Sequence, residues 1–370
     1  MVNNPAAIHK SRSKAMTWLI AVSAGIVAAA AVAQLSFGPY GMTPAQAWAA
    51  LADSGVWSQP AVLLRLLLGE AFAQARGLSQ GQPLATATLI VWNVRIPRVL
   101  VGIMVGTNLA YSGSIFQAVT RNELASPYLL GVSSGAGLAA LLLMVFFPAW
   151  LSLLPLAAMA GGGLAFLMVY AIAWNRGASS VRLVLAGVII AAIAGSLHTA
   201  VFFYARDANV FQNALAWTAG TLTGADWRQL RLVAPWTALT VVLGLAGARN
   251  LDLLSLGDGP ASALGMAVER TRFLMSAVAI MAAGSSVAVA GLVGFVGLIV
   301  PHVVRSLVGS AHRRLLIGCL FAGPALLVSA DSFARLIASP TQLPVGVVTG
   351  LLGGVFFLFL MRKRRDFAEP

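Results

Sequence analysis

Apolar runs of about 20 residues recur along this chain from Met16 to Met361. No other feature limits its possible folds so strongly. At 1.5 Å rise per residue, such a run forms a helix of about 30 Å, the thickness of a hydrocarbon core. Only 9% of the 370 residues are charged, 59% are hydrophobic and the mean hydropathy is +0.86, whereas soluble domains carry about 25% charged residues. In lipid every backbone polar group must be satisfied within the protein, and runs of this length satisfy theirs as helices. The reading is an all-α integral membrane protein whose residues 1–370 form a single transmembrane domain.

Breaks at charged or Pro/Gly-rich stretches place spans near 16–36, 95–118, 127–147, 151–174, 182–204, 231–248, 272–290, 292–309, 314–333 and 343–361. The first follows HKSRSK and exceeds the apolar stretch of about 7–15 residues in a signal peptide, so it reads as a retained span. The seventh and eighth are the hardest to divide. Phe273 to Val304 holds 32 residues without a formal charge, about 48 Å as one helix, too long for one span and short for two.

Charge decides the division. With ten spans and a cytoplasmic N-terminus of 15 or so residues, 16 of the 24 Lys and Arg residues face inward: Lys10, Arg12, Lys14, Arg121, Arg176, Arg182, Arg249, Arg270, Arg272, Arg305, Arg313, Arg314, Arg362, Lys363, Arg364 and Arg365. The other 8 are Arg65, Arg76, Arg95, Arg98, Arg206, Arg228, Arg231 and Arg335. Merging spans seven and eight would throw the C-terminal basic cluster outside, against the positive-inside rule. Ten spans with both termini cytoplasmic follow, and Gly291, Gly294 and Gly297 mark the turn between spans seven and eight. The net charge of +13 then reads as topology. It is spread between apolar runs rather than along one face, so no nucleic-acid partner is expected.

Two extramembrane segments stand out. Residues 37–94 form the longest extracytoplasmic stretch, and LLRLLLGEAFAQARG within it lies along the outer interface or belongs to a partly ordered surface insertion, the second being preferred. Residues 250–272, NLDLLSLGDGPASALGMAVERTR, flank a Gly-Asp-Gly-Pro break with helix formers. They read as a small helix that docks a cytosolic partner, or as a plain loop.

Several chemistries lack their residues. No lysine follows a glycine, so the chain has no phosphate-cradling P-loop and does not itself hydrolyse ATP. His9, His198, His302 and His312 form no H-E-x-x-H, and Cys319 is the sole cysteine, so neither a metal site nor another cofactor site is expected. GVSSGAG, Gly131 to Gly137, reads as small-residue helix packing. Asp331 and Arg335, spaced i,i+4, read as a mutual ion pair rather than a proton relay. In GLVGFVGLIVPHVVRSLVG, Pro301 removes a backbone donor and kinks the inner half of span eight. His302 then reads as a helix-end hydrogen-bonding residue, and Arg305 as a snorkelling interface residue.

Together, VRIPRVLVGIMVG (94–106), SGSIFQAVTRNELASPYLLGVSSGAG (112–137), LVLAG (183–187), GADWRQ (224–229), LSLGDGPASALGM (254–266), GFVGLIVPHVVR (294–305), AHRRLL (311–316), ADSFAR (330–335) and LPVGVVTGLLGGVFFLFL (343–360) resemble the FecCD-type, BtuC-like permeases of type II ABC importers for iron-siderophores, haem and cobalamin. The resemblance implies ten spans and a permease with two cytosolic ATPase subunits below and a periplasmic binding protein above. It also implies a second permease chain, identical or homologous, with spans five and ten lining the path. It places ATPase coupling on Leu256, Gly257, Asp258, Ser262, Leu264 and Gly265, and makes Arg335 and Gln342 outer docking candidates. This chain departs from the usual pattern with Gln342 for a Glu, Glu123 for a Pro and Ser262 for a common Arg. Asn108 and Tyr111, polar within span two, read as helix-helix hydrogen-bonding residues. A ferric siderophore is the favoured cargo, haem or cobalamin the alternatives. An ion-coupled secondary transporter would need acids at membrane depth, and few are present.

Overall fold

The computed structural model describes the backbone of residues 5–38, 40–77, 84–128, 130–174, 180–204, 208–337 and 341–365. The side chains of Lys10, Arg176, Arg206, Lys363, Arg364 and Arg365, six members of the charge count, lie outside the described residues, as does that of His9. The described chain is all-helical, with no strand element.

Each predicted span carries a helix: α1 (Pro5–Ser36), α2 (Ile96–Thr120), α3 (Val132–Phe146), α4 (Leu154–Ala173), α5 (Ser180–Phe202), α6 (Trp227–Ala246), α7 (Val268–Ala290), α8 (Val296–Val308), α9 (His312–Ile337) and α10 (Val345–Arg365). Among the described residues eight helices are long and apolar enough to cross a membrane. The others, α3 with 15 residues and α8 with 13, reach only about 22 and 20 Å. A further helix, Ala208–Thr218, precedes α6.

The core is built around α2. Every residue from Val105 to Thr120 is buried, and α6, α7, α8 and α9 pack on it. Glycine permits the closest approaches. A Cβ on Gly106 would lie 2.7 Å from the carbonyl oxygen of Gly323 on α9, and one on Gly113 would collide with the carbonyl of Gly297 on α8. Pro301 supplies no N–H to that Gly297 carbonyl, so the group freed on α8 is the one pressed against α2. Gly297 is thus a packing residue inside α8. The turn itself spans residues 291–295, where Gly291 (φ 68°) and Phe295 (φ 64°) adopt left-handed conformations. Phe295 is strained by its side chain, and its ring sits against Gly353 and Phe357 of α10.

Polar groups on α2 are mostly answered across helices. Asn108 Nδ2 donates to Thr237 Oγ1 of α6 (2.9 Å) and Ser285 Oγ of α7 (3.2 Å). Tyr111 is buried and its hydroxyl finds no partner among the described residues. The GVSSGAG stretch behaves as packing, with Gly135 backbone-to-backbone against Gly161 of α4 and Gly137 beside His198 of α5.

The described residues of 37–94 pack around a small apolar core. Short helices Pro44–Leu51, Ser54–Trp57, Pro60–Leu68 and Glu70–Ala75 enclose Ala47, Ala50, Val56 and Val62 with Trp92 and Trp227. A capping box from Thr43 and Gln46 starts the first. Thr88 donates to the Asp53 carboxylate (2.6 Å) and Gly55 N–H donates beside it, holding that carboxyl below the usual range. Indole N–H groups pin the insertion down: Trp92 to Ala50 O (3.2 Å) and Trp227 to Trp92 O (2.7 Å). A π-helical turn, Val91–Arg95, joins helix Thr86–Ile90 to α2 and buries Val91, Trp92 and Arg95.

Candidate functional site

Between α6 and α7 the chain folds as helix Ala248–Ser255, a turn at Leu256 and Gly257, and the short helix Asp258–Ala263. Gly257 (φ 105°) and Gly265 (φ 82°) bracket the short helix in conformations that L side chains rarely adopt. Leu251, Leu254 and Ala261 turn inward. Leu256 and Leu264 turn outward, 58% and 64% exposed, with Ser262 and Gly265 beside them. The result is a firm knob with an apolar tip.

The knob is fixed by charge. Arg272 of α7, 1% exposed, sends one arm of its guanidinium to Asp258 Oδ1 (2.7 Å) and the other to Glu269 Oε1 (2.7 Å). Arg121, the left-handed C-cap of α2, lies 3.5 Å from Asp258. Tyr170 of α4 donates to Glu269 (3.2 Å). Asp258 thereby ties the knob to the ends of α2 and α7, and the planar guanidinium fork fixes direction as well as distance. The i,i+3 spacing of Glu269 and Arg272 was visible in the sequence, but the reach from Arg272 back to Asp258 was not.

The same end of the bundle gathers the α8 candidates. Arg305 donates to Gln117 Oε1 of α2 (2.9 Å) and lies 3.3 Å from Glu123. Its charge is therefore drawn into the protein, which corrects the expectation of snorkelling, because Glu123 and Gln117 offer partners within reach. His302 Nδ1 lies 3.9 Å from Glu123, and the ring stands edge-on to Phe356 of α10 at 5.7 Å. Glu123, a departure from the usual pattern, thus becomes the acid that both α8 residues face. His312 opens α9, and both its backbone N–H and its Nδ1 lie 2.8 Å from Asp252 Oδ1.

At the opposite end Asp331 pairs with Arg98, not Arg335. Arg98 Nε and Nη2 each donate to the Asp331 carboxylate at 2.8 Å, and both side chains are buried. Gln34 Nε2 of α1 adds a bond to Asp331 (3.0 Å). The bidentate fork of Arg98 explains why the i,i+4 pairing loses. Arg335 and Arg95 instead donate to the carbonyls of Gln34 and Leu35, the C-terminal turn of α1, where cations offset the helix dipole. Gln342 Oε1 accepts from Arg98 Nη1 (2.6 Å) and Thr223 Oγ1 (3.1 Å). Of the two outer docking candidates, Arg335 is therefore buried and Gln342 half-buried. Among the described residues no group of three His, Cys, Asp or Glu is placed to hold a metal ion.

The FecCD transport family model matches residues 26–363. The iron(3+)-hydroxamate import permease FhuG of Bacillus subtilis (strain 168) is 36% identical over 291 residues, 76% of this chain and 86% of that protein. The hemin transport permease HmuU of Yersinia pestis is 40% identical over 286 residues, 75% and 84% respectively. The cobalamin import permease BtuC of Halobacterium salinarum is 39% identical over 293 residues, 79% and 78%. A solved structure described as an inward-facing metal-chelate type ABC transporter superposes with a TM-score of 0.76 over 94% of this chain and 99% of that one, at 24% identity. The apolar helices, the order of the matched strings and these likenesses carry one conclusion: the chain is a multi-pass inner-membrane protein belonging to the FecCD transport family.

Proposed function

We propose that the chain is the permease subunit of an ATP-driven importer whose cargo is a ferric siderophore. The observation that carries the reading is the exposed apolar knob, Leu256 and Leu264 at its tip, locked through Asp258 and Arg272 to α7 and through Arg121 to α2. Such a knob suits the cleft of a cytosolic ATPase subunit. A push on it reaches the helix bundle as a rigid-body displacement, because its links are short and partly buried. In this reading all ten helices cross the membrane, both termini are cytoplasmic, and Leu256, Gly257, Asp258, Ser262, Leu264 and Gly265 are the coupling residues. The short helices α3 and α8 are extended by buried residues of the chain before them, Ala125, Ser126, Pro127, Leu130 and Gly131 for α3 and Gly291 and Val293 for α8. A periplasmic binding protein delivers the cargo at the Arg98–Gln342 end, and a second permease chain completes the path beside α5 and α10.

Haem or cobalamin is the second reading of the cargo, supported by the likeness to the hemin and cobalamin permeases. Uptake into proteoliposomes holding the chain, its co-purifying ATPase and its binding protein tests both. Ferric hydroxamate uptake that needs ATP and stops with vanadate is the expected result. Uptake of haem or cobalamin alone moves the cargo assignment, and uptake driven by a proton gradient without ATP overturns the importer reading.

A further inference from the structure

Beside the knob, the ends of α1, α2, α8 and α9 surround a cavity of about 520 Å³. Four arginines line it: Arg12, Arg121, Arg305 and Arg314. Two carboxylates share the walls, and both are engaged, Glu123 by Arg305 and Asp252 by His312. No carboxylate among the described residues pairs with Arg12 or Arg314, whereas Arg121 already leans on Asp258. Gln117, buried in the lining, keeps its Nε2 donor without a partner among the described residues. The cavity therefore has more donors and positive charge than its own acceptors answer. Leu256 and Ser255 of the knob form part of its wall.

We propose that this cavity binds a phosphate-bearing anion, the headgroup of an anionic phospholipid or free phosphate. Forked guanidiniums are the side chains best matched to phosphate oxygens. A basic pocket between helices where they leave the bilayer is also where anionic headgroups are found. A bound phosphate would bridge Arg12 of α1 and Arg314 of α9 across the α2 end that holds Asp258, so occupancy stiffens the footing of the knob. The placement at the inner face rests on the permease reading; the site itself does not.

Titrating the purified full-length chain, in an uncharged detergent, with dioctanoyl phosphatidylglycerol, dioctanoyl phosphatidylcholine and inorganic phosphate tests the site by calorimetry. Phosphatidylglycerol is expected to saturate one site, with affinity falling as salt rises. In the double variant Arg12→Gln/Arg314→Gln the affinity should drop about tenfold or more. Phosphatidylcholine, whose phosphate is neutralised by its choline, should not bind there. Competition by inorganic phosphate assigns a general phosphate site, and its failure to compete assigns the lipid headgroup. Gln117→Glu keeps an acceptor for Arg305 while placing a negative charge on the wall, and should reproduce the loss. Arg228→Gln, the same one-unit charge change as Gln117→Glu at an exposed position elsewhere, should leave affinity unchanged. Equal phosphatidylglycerol affinity in the wild type and the correctly folded variants, or equal binding of phosphatidylcholine, overturns the proposal. Because binding is read on the chain alone, intact phosphatidylglycerol binding alongside failed uptake counts against the transport reading and not against the site.

Discussion

Arg272 and Asp258, 14 residues apart, meet at 2.7 Å, and Arg272 is almost wholly buried while Asp258 is half-exposed. The bond joins the first turn of the knob to the second turn of α7. Replacing Arg272 by Met is expected to cost only about 1–2 kcal/mol of stability, since its partners face water. Its larger effect should be on coupling: ATPase activity persists while uptake falls several-fold. Parallel measurement of ATP hydrolysis and uptake in proteoliposomes checks this, and an unchanged ratio of the two would argue against a mechanical role.

The Arg98–Asp331 pair behaves differently because both partners are buried. Asp331→Ala leaves an uncompensated guanidinium, at a cost of about 3–5 kcal/mol. The double replacement Arg98→Met/Asp331→Leu removes both charges and should recover most of that loss. Thermal unfolding in detergent reads both variants, and a double variant no better than Asp331→Ala would show that the pair is not the source of the cost.

At Gly106 a methyl group would lie 2.7 Å from Gly323 O, backbone that cannot yield. Gly106→Val is expected to lower the unfolding temperature by several degrees, consistent with about 1–3 kcal/mol of overpacking. Gly163→Ala, where nothing lies within 4 Å, should be neutral. Similar midpoints for the two variants would disprove tight α2–α9 packing.

Pro301→Ala returns an N–H to α8 that can bond the Gly297 carbonyl, now turned to Gly113. Uptake should slow while capture of cargo by the binding protein is unchanged. Uptake at the wild-type rate would remove Pro301 from the mechanism.

How much of this was legible in the sequence depends on how local each cause is. The ten apolar stretches each carry a helix, because run length and breaker residues act locally. The ion pairing of Asp331 was not legible from helix spacing, since Arg98 lies 233 residues away. Arg305 likewise reads as a snorkelling side chain until Gln117, 188 residues earlier, is brought beside it. The knob residues Leu256 to Gly265 were legible through family likeness, but the anchor Arg272 was hidden as one more basic residue in a topological count. The packing of helix Pro44–Leu51 against the start of α2 was equally hidden, since it rests on Trp92 bonding Ala50 O and Trp227 bonding Trp92 O across long sequence gaps.

The enclosure of α2 from Val105 to Thr120 assigns the parts of the bundle their freedom. A helix occupied on every side has no face left for lipid or cargo and no direction in which to tilt without dislodging its neighbours. It is expected to hold its place while other helices shift. In contrast, α5 shows Leu185, Ile189 and Ile193 at its surface, and α10 shows Leu351, Val355 and Leu358. In the proposed permease, rearrangement is therefore expected at loosely packed outer helices such as these, with α2 held in place.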